Sequence, residues 1–337
     1  MNTIFFRGDG GAETGLGHLA RLVALAEAAR DRGARTVFLV NDEPAARAFV
    51  AGRGFADARL VPAEDDAELA LLLATAGAGP LVTDLRGKPP AFYERLRGAG
   101  VLVCAIDDMG EPLVAQLVVN GDAAPAYANY AELWPPQRFL LGTAYVPLPP
   151  AFAAEPPPAG DAARTRLLLT FGGADADDFS RRALAALAPS PPREIDLCLG
   201  PAYRRVADAR RESRESRHRV TVHAPARDML ALYRRARLAL CAGGITQYEL
   251  LCQCVPVISL PHVGRERAEC RAFAAAGAAL TFEADELKVG GAAVAAADEL
   301  WDDGPRREAM AAAGRRLVDG RGAGRILDEL DAWAARR

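Results

Sequence analysis

Of the four histidines in this chain, His18 has the surroundings best suited to chemistry. It lies in the segment RGDGGAETGLGHLAR, residues 7–21, between a short apolar run and an amphipathic one. Glycines at 10, 11, 15 and 17 let a backbone turn tightly and approach a ligand closely. A helix starting there favours anions at its N-terminus. The spacing is neither that of a Walker loop, which needs Lys-Ser/Thr, nor a clean dinucleotide fingerprint. An imidazole at the mouth of such a turn is suited to general acid–base work. The bland alternative is a helix-start histidine contacting backbone; catalysis is preferred over it.

Two further glycine turns carry binding chemistry. Phe171-Gly172-Gly173 closes an apolar run and leads toward a helix, a phosphate-approach loop by the same logic. The acidic Asp175, Asp177 and Asp178 that follow would repel a phosphate if they faced it. The segment CAGGITQYE, residues 241–249, repeats the pattern of strand end, two glycines and helix start. Its exposed N–H groups at Gly243 and Gly244 and the Thr246 hydroxyl could hold a diphosphate, and Glu249 could accept hydrogen bonds from ribose. A glutamate that merely stabilises the helix dipole remains the other reading of Glu249. Asp84, the pair Asp107 and Asp108, and Asn120 stand at strand ends, where side chains face a ligand cleft rather than a core. His218, His223 and His262 are too scattered for a metal site and are expected to be structural or on the surface.

The elements that must position these groups follow from hydrophobic periodicity. Strands are expected over 3–6, 36–40, 81–83 and 101–106, with helices over 18–32, 43–52, 67–76 and 90–98. Alternation of this kind implies βαβ units and a mostly parallel sheet. Residues 146–163 read VPLPPAFAAEPPPAGDAA, with six prolines and no period, which suits a linker. Strands then resume over 166–170, 195–199, 220–223, 238–241 and 255–260. The helices between them are expected over 178–188, 204–213, 226–235, 246–252 and 267–276, and 305–337 is helical in pattern. The expected organisation is an N-terminal Rossmann-like domain over 1–150, a linker over 151–163, a nucleotide-binding Rossmann-like domain over 164–320 and a C-terminal helix over 321–337. Two doubly wound α/β domains of this kind are expected to bind ligand in a cleft between them.

Bulk properties agree with such an enzyme. A chain of 337 residues exceeds the size at which one core usually stops growing. Its 41 Lys+Arg against 44 Asp+Glu leave a formal charge of −3, without the basic field that nucleic acid or an anionic membrane would need. No secretory signal and no spanning segment is read, so a cytoplasmic location, without stable membrane insertion, is expected. The six cysteines then read as reduced, mostly buried thiols. No obligate protein partner is inferred.

The segment FFRGDGGAETGLGHLARLVALA resembles the opening motif of the UDP-2,4-diacetamido-2,4,6-trideoxy-L-altropyranose hydrolases of pseudaminic acid biosynthesis, with their spore-coat polysaccharide homologues. The resemblance continues in order through VTDLRG, AIDDMG, VVNGD, LGTAYVPL, LLLTFGGAD and CAGGITQYELLCQCVPVISL. The second-half motifs also look like the donor-binding half of the peptidoglycan N-acetylglucosaminyltransferase. This implies the glycosyltransferase-B architecture and a UDP-linked or other nucleotide-linked deoxyamino sugar as substrate, with no cofactor and no metal. It implies water attack at the anomeric carbon with inversion, His18 positioning or deprotonating the water, helped by Asp9 or Asp84. It further implies sugar-nucleotide contacts from Arg7, Gly11, Gly15, Gly17, Asp108, Asn120, Tyr145, Gly172, Gly173, Gly243, Gly244, Ile245, Thr246, Glu249, Arg265 and Glu266.

Three places depart from the family's pattern. Its Asp-His-Tyr is here Asp84-Leu85-Arg86, its Arg after Tyr-Ala-Leu-Leu gives way to Pro149, and its Asn-Gln is Arg265-Glu266. The sugar and the base are therefore left open. A glycosyltransferase using the same donor cleft with a sugar or small-molecule acceptor is the alternative function, and a non-catalytic sugar-nucleotide binder is a third.

Overall fold

The computed structural model describes residues 3–11, 15–76, 79–108, 110, 114–124, 138–154, 157, 163–226, 228–262 and 264–335. The chain forms two compact units, Met1–Ala153 with Gly320–Arg337, and Ala154–Asp319. Both are Rossmann-like, with a parallel sheet and connecting helices.

The first unit is built on β1 (Thr3–Gly8), β2 (Arg35–Asn41), β3 (Arg59–Val61), β4 (Leu81–Asp84), β5 (Val103–Ile106), β6 (Leu117–Asn120) and β7 (Arg138–Leu141). Among the described residues the sheet order is β3-β2-β1-β4-β5-β6-β7, parallel throughout. Its strands are near-continuous apolar runs because helices cover both faces. The helices are α1 (Gly17–Asp31), α2 (Pro44–Gly52), α3 (Asp65–Ala76) and α4 (Pro90–Gly98). One core joins Ile4, Phe6, Phe38 and Val82 to Leu19, Leu22 and Leu25 of α1; the other joins Phe5, Leu39 and Val103 to Leu72, Phe92 and Tyr93. The connections run outward to β3 on one side of β1 and to β7 on the other. The crevice between β1 and β4 is thus the switch point where such sheets bind ligands.

The second unit contains β8 (Arg166–Thr170), β9 (Glu194–Cys198), β10 (Arg219–His223), β11 (Ala236–Cys241), β12 (Val257–Ser259) and β13 (Ala279–Thr281), in the order β10-β9-β8-β11-β12-β13. Its helices are α5 (Phe179–Ala186), α6 (Val206–Glu215), α7 (Met229–Arg235), α8 (Ile245–Cys252), α9 (Gly264–Ala275), α10 (Ala292–Asp302) and α11 (Gly304–Leu317). The last helix, α12 (Gly322–Ala334), belongs to the first unit, where Ile326, Leu327 and Leu330 join the core around α1.

Periodicity had not marked β3, β7, β13 or α10, and of β6 only its end at Asn120 was read. Strand β3 has three residues, two of them exposed, and gives no apolar alternation to detect. The proline-rich linker contains one helical turn, Ala151–Ala154, while 155–156 and 158–162 lie outside the described residues. All six cysteines are free thiols, five buried and Cys254 partly so. Burial pushes the thiols of Cys104, Cys198 and Cys270 up to about 12. Among the described residues no helix is long and apolar enough to cross a membrane.

Candidate active site

At the switch point, strand alternation sorts the polar side chains onto two faces. Arg7 pairs in register with Thr83, and Gly8 with Asp84. Successive side chains point to opposite faces, so Asp84 goes to the α1 side and Arg7 to the side of α3 and α4. Gly8 leaves the α1 side empty: a Cβ there would lie 2.5 Å from Leu22 Cδ1, and one at Gly10 would lie 2.5 Å from Leu19 Cδ1. These glycines let α1 pack close enough for its first turn to reach Asp84. Gly11 and Gly15 close the turn by exchanging two backbone hydrogen bonds, at 3.1 and 3.0 Å, with Gly15 at φ +71°. Gly17 is the first residue of α1.

His18 Nδ1 lies 2.6 Å from Asp84 Oδ1, and both residues are buried. Arg21, one turn along α1, donates from Nε to Asp84 Oδ2 at 2.7 Å and from Nη2 to Oδ1 at 3.0 Å. Its Nη1 donates to Asp108 Oδ2 at 2.8 Å. Burial pushes the Asp84 carboxyl up, but the Arg21 charge and the hydrogen bonds from His18 and Arg21 outweigh it and hold Asp84 below its usual range. Burial likewise opposes the charge on Arg21, and Asp84 and Asp108 overcome it, raising its pKa. An ionised Asp84 only accepts, so the short contact places the proton on Nδ1 of His18. Arg21 Nη2, 3.0 Å from that nitrogen, is then a neighbour rather than a donor to it. In the neutral ring this tautomer puts the lone pair on Nε2, the arrangement in which a carboxylate can orient a histidine base.

Asp9 does not join this cluster. Its carboxylate takes Arg7 Nη1 at 2.6 Å, and Arg7 Nε donates to buried Glu68 of α3 at 2.5 Å. Lys88 closes the network on Glu68 at 2.5 Å and Asp65 at 2.6 Å. Arg7 and Asp9 thus brace the opposite face and hold the loop after β4. Leu85 packs into the core on that side, while Arg86 approaches Asp108 at 3.7 Å. Asp107 accepts from the Gly110 N–H, and Asn120 from that of Asp122. Tyr145 packs against the core to which α12 contributes. Sequence reasoning had not named Arg21, Glu68 or Lys88. The only signal for Arg21 was its place three residues beyond His18, on the same helical face.

In the second unit the acidic run after Gly172-Gly173 is fully engaged. Asp175 Oδ1 and Oδ2 accept from the N–H groups of Phe179 and Ser180, both at 2.8 Å, capping α5. Asp177 lies 2.6 Å from His262 Nδ1, and the His262 ring stacks on Phe179. Asp178 binds Tyr203, Arg181 and Arg205. Gly172 has φ +83°, and a Cβ at Gly200 would overlap the carbonyls of both Gly172 and Gly173.

At the third turn, Gly244 begins α8 at φ 72° with no side-chain cap, leaving Ile245 and Thr246 at an open helix N-terminus. Gly243 packs under Glu266, where a Cβ would lie 2.8 Å from Glu266 Cβ. Glu266 lies in the first turn of α9 and accepts from the His262 N–H at 3.0 Å. The side chain of Arg265 lies outside the described residues. Glu249 is beyond the first turn of α8 and accepts from the Tyr233 hydroxyl at 2.7 Å, which argues against a mere helix-dipole role. His218 is structural: its Nε2 contacts the Leu187 carbonyl at 2.8 Å and its Nδ1 accepts from the Arg193 N–H. His223 contacts buried Asp196, which Arg235 grips with two hydrogen bonds.

No protein-family model matches this chain. It is 26% identical over 326 residues, 94% of each protein, to the spore coat polysaccharide biosynthesis protein SpsG of Bacillus subtilis (strain 168). Among solved structures it is similar to MurG of Acinetobacter baumannii, with TM-score 0.70 and 14% identity over 98% of this chain and 100% of that one. It is also similar to the glycosyltransferase VinC in complex with dTDP, with TM-score 0.64 and 15% identity over 99% of this chain and 100% of that one. The fold is of the glycosyltransferase-B type.

Proposed function

We propose that this protein is an enzyme of nucleotide-activated sugars in which His18, oriented by Asp84, deprotonates the hydroxyl that attacks the anomeric carbon. The observation that carries this reading is the 2.6 Å contact of His18 Nδ1 with a carboxylate clamped by Arg21. As the attacking oxygen bonds to the anomeric carbon, its proton passes to Nε2. The bond from that carbon to the phosphate oxygen breaks, and the nucleoside diphosphate leaves with the electron pair. In this reading the turn at Gly243 and Gly244, with the start of α8, takes the diphosphate charge, and Glu249 takes the ribose.

The attacking hydroxyl belongs to a sugar or small-molecule acceptor. A relative named for polysaccharide biosynthesis and a neighbour named as a glycosyltransferase with bound dTDP both support transfer. The second reading puts water in that place, with inversion at the anomeric carbon. It is favoured by the likeness of residues 5–26 to the hydrolase opening motif.

A panel of UDP- and dTDP-sugars, incubated with and without sugar acceptors, tests both. Nucleoside diphosphate release that requires an acceptor supports transfer, and release at the same rate in buffer alone supports hydrolysis. No release from any donor under either condition would count against both.

A further inference from the structure

The strands of the first unit run parallel, so Arg35, which opens β2, lies at the end of the sheet opposite Asp84, while Arg59, which opens β3, pairs in register with Leu39. Arg30 sits in the last turn of α1, about 18 Å along the helix from His18 at 1.5 Å per residue. The three arginines line one cavity of about 280 Å³, together with Phe55 and Asp57. The guanidinium carbon of Arg30 lies over the Phe55 ring, 4.8 Å from its centre, which holds the charge at the wall.

Charge at this cavity is out of balance. Several exposed arginines elsewhere in the unit pair with carboxylates: Arg32 binds Asp328, Arg47 faces Asp42 and Arg95 binds Asp66. Among the described residues Arg30, Arg35 and Arg59 form no ion pair, not even with Asp57 beside them. Among the lining residues three cations face one anion, and Glu27 of α1 also feels the charge of Arg30; the positive charge that remains in this concave site attracts an anion.

The backbone adds a second kind of group. Strand β1 pairs with β2 from Arg35 onward, whereas β3 pairs only with Leu39–Asn41. The outer edge of 35–38 therefore has no strand neighbour, and that stretch lines the cavity. Alternate N–H and C=O groups there are open to a ligand.

We propose that this cavity binds a small organic phosphate. The guanidinium forks take the phosphate dianion and the open edge of β2 takes the hydroxyl groups of its organic part. The volume, near the lower end for ligand pockets, suits a molecule the size of a sugar phosphate. The proposal does not rest on the reaction assigned to His18.

Calorimetric titration of the full chain with glucose 6-phosphate, with glucose and inorganic phosphate as controls, tests it. Glucose 6-phosphate should bind saturably and more tightly than inorganic phosphate, and glucose should not bind. The double variant Arg35→Glu/Arg59→Glu, checked for folding by circular dichroism, should bind about tenfold more weakly or worse. Arg30→Gln should shift affinity in the same direction. An affinity unchanged by charge reversal, equal binding of inorganic phosphate, or no binding of either phosphate to the parent protein would each overturn the proposal.

Discussion

At the scale of single residues, the proposed base and a helix-start histidine predict different behaviour of a His18 variant. The variant His18→Asn should lower turnover by about 10²–10⁴-fold, the usual worth of general base catalysis, while nucleotide affinity and melting temperature stay near those of the parent. A stable variant with undiminished turnover would remove His18 from the mechanism. Asp84 makes a second, pH-dependent prediction. Its folded pKa lies below the unfolded value of about 3.9, so its contribution to stability is complete above that pH and is lost as pH falls through the lower folded value. Chemical denaturation of Asp84→Asn across pH 2–6 should show a shallower acid loss than the parent. Parallel curves would mean that Asp84 is not held ionised. Glu266 makes a third. In the proposed reading, a carboxylate packed over Gly243 would repel a diphosphate placed at that turn. Glu266→Gln should therefore tighten UDP binding severalfold in a calorimetric titration; weaker binding would make Glu266 a ligand-holding group instead.

At the scale of elements, the two helix starts in the second unit have opposite chemistry. The N-terminus of α5 is satisfied by Asp175, whereas that of α8 has no side-chain cap. Asp175→Ala should therefore destabilise the protein by about 0.5–2 kcal/mol, because two buried N–H groups lose their acceptor. Asp175→Asn keeps one acceptor oxygen and tolerates the positive φ of 44°, so its loss should be smaller. Scanning calorimetry checks the order Asp, Asn, Ala. Equal melting temperatures would show that the cap carries no weight. The repulsion expected of the acidic run after Gly173 was conditional on its facing a phosphate; in the structure each of its three carboxylates has a protein partner.

At the scale of the molecule, the first unit is discontinuous in sequence. Ile326, Leu327 and Leu330 of α12 are fully buried against the core around α1. Burial of each side chain is worth about 1.5–3 kcal/mol, and together they rival the 5–15 kcal/mol that typically stabilises a whole domain. A chain ending at Asp319 should lose the thermal transition of the first unit and with it the His18 site. The second unit should keep a cooperative transition, since its residues 154–319 form their own core. Calorimetry of the truncated chain that retained both transitions unchanged would show that α12 is dispensable.

The alternation of apolar runs and amphipathic segments by itself determined the two parallel α/β units, because fully buried strands and one-sided helices leave a direct periodic record. It also determined that Asp84 and the glycine turns stand at strand ends and His18 at a helix start, since those positions follow from the order of elements alone. Tertiary structure decided the partners. Whether Asp9 or Asp84 reaches His18 depends on one step of strand alternation, which sends Arg7 and Gly8 to opposite faces. Arg21 reaches Asp84 and Asp108 on one face, and Glu68 joins Arg7 and Lys88 on the other, across separations of up to 87 residues, through charge pairing that no local pattern encodes. The return of α12 to the first unit likewise depends on an apolar face finding α1, a contact nearly three hundred residues away in sequence that only the folded chain brings about.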